Sequence, residues 1–254
     1  MLDDDGDGTG YHGTHVAGTI AADGTTSGIY GMALKAKILP VKVLGKNSST
    51  DDQIINGMNW AVGIHVDGIE DNANPAKILN LSLGGYSTTC SAAYQTVIDN
   101  IRTTKGATIV VAAGNENMDA KDSSPGNCRN VITVAATNCR GIRAPYSNYG
   151  SQVTIAAPGG TTFIDDDWAG ILSTIKNGYI HMQGTSMAAP HVAGIAALLY
   201  AIKADITPDR VQSLLTSTAH KFPNYPETTY LNCTAPRTCG AGIVDAYAAV
   251  KAAP

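Results

Sequence analysis

The run Thr108-Ile109-Val110-Val111-Ala112-Ala113 is apolar or β-branched throughout, shows no polar alternation, and closes with Gly114 and Asn115. A strand that turns neither face to water is buried on both, as in a parallel sheet covered by helices. Other largely apolar runs with β-branched or Leu residues occur at 37–44, 78–83, 131–136 and 153–156. Between and after them lie helical segments. One spans 50–64 and opens on Thr50 with Asp51 and Asp52, and others span 91–105 and 186–202. A last one starts at Thr207-Pro208-Asp209, a threonine cap with proline at the first helical position. The alternation predicts an α/β fold with a mainly parallel central sheet flanked by helices. No linker, charge block or repeat divides the 254 residues, so one domain over 1–254 is expected. With 44% hydrophobic residues, 27 glycines and 15% charged residues, the core is packed largely by small side chains.

Three segments carry chemistry. In Gly184-Thr185-Ser186-Met187-Ala188-Ala189-Pro190 a serine stands between a glycine turn and an alanine-rich helix, at the positive end of the helix dipole. The plain alternative is a helix cap. Tyr11-His12-Gly13-Thr14-His15-Val16-Ala17-Gly18 sets His12 at the start of another small-residue helix, from which an imidazole can project into a cleft. Asn115 follows the carboxyl end of a parallel strand, where α/β sheets place their ligands. A serine hydroxyl, an imidazole to take its proton and an amide to hold a developing oxyanion are the parts of an acyl-transfer site.

These residues resemble the subtilisin-like serine peptidases, the subtilases. His12 matches the family histidine in His-Gly-Thr-His, Asn115 its oxyanion asparagine, and Ser186 its serine in Gly-Thr-Ser-Met-Ala, in the family's order. The similarity extends through 36–44, 79–85 and 240–246. It implies a three-layer subtilisin-like fold and a serine endopeptidase acting through an acyl-enzyme on extended peptides or proteins. It also implies a secreted, extracellular setting. Ser82-Leu83-Gly84 and Ala112-Ala113-Gly114 resemble the two segments between which the family holds its peptide by strand addition. An ordinary glycine-rich strand end is the bland alternative. The family's aspartate closes an apolar strand in Asp-Thr-Gly or Asp-Ser-Gly, and neither tripeptide occurs here. The expectation is therefore a catalytic domain truncated at its N-terminus, without that strand, and of reduced activity. A catalytically silent peptide-binding fragment is a second reading. A third is one part of a complex that needs a complementing strand. Self-association through the exposed sheet edges is expected with it.

The resemblance also frames the five cysteines. Cys233 and Cys239 are paired by likeness to a loop that secreted bacterial subtilases close, and Cys90 is paired with Cys128 from their places at neighbouring strand ends. Cys139 is left as a small buried hydrophobe. Asp3, Asp5 and Asp7 lie in Asp-x-Asp-x-Asp-Gly and supply oxygen donors like the first half of an EF-hand loop, so a structural calcium ion is the one cofactor suggested. Position 12 of such a loop would be Thr14, and a solvated acidic terminus is the alternative. Asp165 to Asp167 reads as a surface loop. His15 and His191 are expected to pack inward as structural histidines. A formal charge of −4 excludes an electrostatic footprint for nucleic acid or anionic membrane. The longest apolar stretch, 188–201, is interrupted by Pro190, His191 and Gly194 and falls short of a bilayer span.

Overall fold

The computed structural model describes residues 11–25, 28–45, 49–161, 170–224 and 231–254. Among these residues the α-helices are α1 (His12–Ala21), α2 (Asp51–Ala61), α3 (Ala92–Asn100, continued by a π turn over Ile101–Lys105), α4 (Thr185–Ile202), α5 (Pro208–Ser217) and α6 (Ala246–Lys251). The strands are β1 (Ile78–Leu81), β2 (Gly85–Tyr86), β3 (Thr108–Ala112), β4 (Ser123–Ser124), β5 (Ile132–Thr137), β6 (Ile155–Pro158), β7 (Ile171–Ile175) and β8 (Gly178–Met182). The main sheet runs β1-β3-β5-β6, and every pairing in it is parallel. Two antiparallel pairs, β2 with β4 and β7 with β8, stand beside it.

Helix starts follow local chemistry. Thr50 and Gln53 form a reciprocal capping box at α2. The Thr207 hydroxyl accepts from the Arg210 N–H with Pro208 at the first position of α5. The five residues of β3 are all buried and serve two layers by alternation. Val110 and Ala112 face the cluster built with α4 and α5, while Ile109 and Val111 face the cluster built with α2 and α3. That is why the run carries no polar alternation, and it makes the architecture three layers deep.

Helix α4 passes through Pro190, His191 and Gly194 without a break, and among the described residues it is the one helix long and apolar enough to cross a bilayer. Its apolarity is accounted for inside the protein, since it lies against the sheet with eleven of its residues buried.

Two expectations fail. Residues 37–44 form no strand among the described residues: Val41 and Val43 pack toward α2, where a Cβ on Gly57 would stand 2.3 Å from Val43 Cγ1. A strand exists only through a partner backbone, and no described residue supplies one to this segment or to the outer edge of β1. Cys139 is exposed instead of buried. It sits in a tight turn whose corner is Asn138, the Oδ1 of which accepts from the Arg140 and Ile142 N–H groups, so the backbone geometry leaves that side chain outside. Both disulfides are present, Cys90–Cys128 and Cys233–Cys239.

Candidate active site

Gly184 opens the serine segment at φ 150°, ψ 160°, a conformation that favours glycine. Its N–H donates to the Gly159 carbonyl, and its own carbonyl accepts from Met187 at 3.0 Å to start α4. Ser186 is the second residue of the helix, so its backbone N–H is among the donors that lack an intrahelical partner. Pro190, four residues on, has no N–H to give the Ser186 carbonyl. The Ser82 hydroxyl takes that place at 2.8 Å, and in return the Ser186 hydroxyl donates to the Ser82 carbonyl at 3.3 Å. The proline of the motif thus leaves an acceptor that binds the serine turn to the segment following β1.

Asn115 stands three residues beyond the end of β3. Its Oδ1 accepts from the Thr185 N–H at 2.8 Å and from the Thr185 hydroxyl at 3.0 Å. A backbone N–H can only donate, so the amide orientation is settled: the oxygen faces Thr185 and the NH₂ faces away. That Nδ2 lies 3.8 Å from where a Cβ of Gly184 would stand, beside the serine turn. Thr185 Oγ1 also accepts from the Gly114 N–H at 3.1 Å. The fully buried Thr185 therefore holds the turn from both sides.

His12 begins α1 and is half-buried, with Tyr11 in the left-handed region before it. The helix is fixed by the β7–β8 hairpin. The fully buried His15 donates from Nε2 to the Ile171 and Ile180 carbonyls at 2.9 and 3.1 Å. Ser173 and Thr174 donate to the His15 and Thr14 carbonyls. Gly18 is flush with the hairpin, as an added Cβ would meet Thr174 Oγ1 at 2.2 Å. Burial pushes the pKa of His15 below its usual value, partly opposed by those two carbonyls. His191 is shifted the same way by burial, with its Nδ1 donating to the Met187 carbonyl at 2.8 Å. Both histidines pack inward.

The two peptide-holding candidates differ. Ser82-Leu83-Gly84 lies just past the end of the β1–β3 ladder, and Gly84 is exposed. Ala113 instead donates to the Val134 carbonyl, and the carbonyls of Ala113 and Gly114 both accept from Asn148. Ala113 and Gly114 therefore have their backbone hydrogen bonds met within the fold. Asp3, Asp5 and Asp7 lie outside the described residues, as do Asp165 to Asp167. Among the described residues no His, Cys, Asp and Glu group could hold a metal ion.

Sequence reasoning missed Thr185 as a clamp, the Ser82 hydroxyl, the β7–β8 hairpin and the buried Asn148. Pro190 was the available signal for Ser82, because it announces an unmatched carbonyl four residues earlier. A polar residue in a polar loop, as Asn148 is, gives no such sign.

A sequence model described as the subtilase family matches residues 2–242. The chain is 45% identical over 95% of its length to an extracellular basic protease of Dichelobacter nodosus. It is 44% identical over 96% to an extracellular protease of Xanthomonas campestris pv. campestris. It spans 39% and 40% of the length of those two relatives. Among solved structures, a protease from Pseudoalteromonas arctica superposes with a TM-score of 0.87 at 47% identity, covering 96% of this chain and 71% of that one. A cold-adapted subtilisin-like serine proteinase gives 0.70 at 32% identity, covering 91% and 75%. The subtilisin-like likeness extends over more than nine-tenths of the chain.

Proposed function

The chain belongs to the subtilase family, and on that premise we propose that it hydrolyses peptide bonds, with Ser186 as nucleophile, His12 as general base and Asn115 as oxyanion donor. The observation that carries the reading is the Asn115 amide, turned by Thr185 so that its NH₂ lies beside Gly184 in the serine turn. When a peptide carbonyl enters, the Ser186 hydroxyl exchanges its long bond to Ser82 for His12, attacks the carbonyl carbon, and passes its proton to the imidazole. The oxyanion forms between Asn115 Nδ2 and the unpaired Ser186 N–H, and His12 returns the proton to the leaving amine. The substrate is an extended peptide or protein laid along Ser82 to Gly84, with a side chain against Ala112 to Gly114. A secreted setting fits the two disulfides. The test is a peptide p-nitroanilide assay with Ser186→Ala. Hydrolysis and fluorophosphonate labelling are both expected to vanish, and unchanged turnover would sink the assignment.

A second reading is favoured by the outer edge of β1, which has no ladder partner among the described residues. A parallel strand of Ile-Leu-Asn-Leu character is normally covered on both sides, so this edge accepts one further apolar strand, from this polypeptide or another. Activity then depends on that strand. In subtilisin, loss of the orienting aspartate lowers kcat by about 3 × 10⁴, with residual catalysis remaining. A second copy of the chain covering the same edge would show as a dimer in sedimentation velocity.

A further inference from the structure

We propose that Asn148 is a positioning residue for the Asn115 oxyanion donor, acting as a rigid template for the turn 113–118. The inference rests on the reading of Asn115 as that donor. Asn148 is wholly buried in the connection between β5 and β6, and spends its side chain on one short stretch of chain. Its Oδ1 accepts from the N–H groups of Glu116 and Met118 at 3.1 and 3.0 Å. Its Nδ2 donates to the Ala113 carbonyl at 2.9 Å and to Glu116 Oε2 at 2.8 Å, and its backbone N–H donates to the Gly114 carbonyl at 3.0 Å. These five bonds straddle Asn115, touching the two residues before it and the residues one and three beyond.

Asn115 itself is exposed, and among the described residues its side chain is held through Oδ1 by Thr185. Its aim is therefore set by a backbone that Asn148 fixes on both flanks. Gly114 completes the fit: at φ 102° an added Cβ would lie 2.3 Å from Asn148 Nδ2. Only an amide of this length offers two donors and a two-lone-pair acceptor together. Aspartate keeps the acceptors and loses both donors, and it faces the Glu116 carboxylate at hydrogen-bonding distance.

The experiment compares wild type, Asn115→Ala, Asn148→Asp and the double variant with a peptide p-nitroanilide, and adds Glu116→Gln in the Asn148→Asp background. Displacing a donor by about 1 Å costs up to roughly 10² in rate, so Asn148→Asp should lower kcat about 10- to 100-fold with KM within about twofold. Glu116→Gln, whose amide can donate to the new carboxylate, should restore most of that loss. In the Asn115→Ala background Asn148→Asp should cost no further kcat, because its effect runs through the missing amide. Equal losses with and without Asn115, or no loss in Asn148→Asp, would overturn the inference. If wild type and Asn115→Ala turn over alike, the oxyanion reading itself falls and the inference falls with it. Amide exchange at Glu116 and Met118, read in the same variants, should quicken in Asn148→Asp whatever the activity. Unchanged exchange would also refute the template.

Discussion

The serine turn and the histidine helix share one support, since α1 packs against α4, but their other ties run to different parts of the molecule. Ser186 and Asn115 are tied through Ser82 and the buried Thr185 and Asn148 to the ends of β1 and β3. His12 rides on α1, which is fastened through His15, Thr14 and Gly18 to a separate two-stranded hairpin. Next to the completed serine side, the β1 edge stands unpaired among the described residues. The aim of Asn115 is thus set at the sheet ends, while the placement of His12 is set by α4 together with the β7–β8 hairpin. A change at the exposed Asn115 should alter chemistry at constant stability, and a change at a buried tie such as Asn148 or His15 should alter both.

The largest expected effect sharpens the first half of that contrast. Asn115→Ala should lower kcat by about 10² to 10³ while KM and the melting temperature move little, because the amide bonds the transition state more than the substrate. Steady-state kinetics with a melting curve reads this, and a pure KM effect would argue against the role.

A smaller effect probes the second half through pH. His15 and His191 have depressed affinity for a proton in the folded state, with burial as the leading cause. The unfolded chain protonates first as pH falls below 6.5, so the stability these two residues allow is complete above that value and declines beneath it. His65, whose partner Asp71 raises its proton affinity, works in the opposite sense but is exposed and weak. Melting temperature should therefore fall between pH 6.5 and 5, and His15→Asn should flatten that slope. The same slope in the variant would break the link between burial of His15 and the hairpin clamp.

What could be read beforehand follows the same division. The β3 run, the helix caps at Thr50 and Thr207, and the motifs around His12, Asn115 and Ser186 are local patterns, and each carries its own physical signature in consecutive residues. The β7–β8 hairpin and Asn148 were not legible, since their partners lie 156 and 35 residues away in sequence and a short polar segment looks solvated until it is folded. Residues 37–44 read as a strand because their composition suits one, yet a ladder is a relation between two segments. Cys139 read as buried because cysteine usually is, and the Asn138 turn decided otherwise.

The most direct test of the account is the rate at which a fluorophosphonate labels Ser186, measured with and without a synthetic apolar peptide ending in Asp-Thr-Gly. If the serine side is complete and the histidine side waits on the β1 edge, the peptide should raise both the labelling rate and the melting temperature, since a ligand that binds only the folded state must stabilise it. A monomer that gains neither, yet labels and cleaves casein at the rate of an ordinary subtilase, would contradict the account.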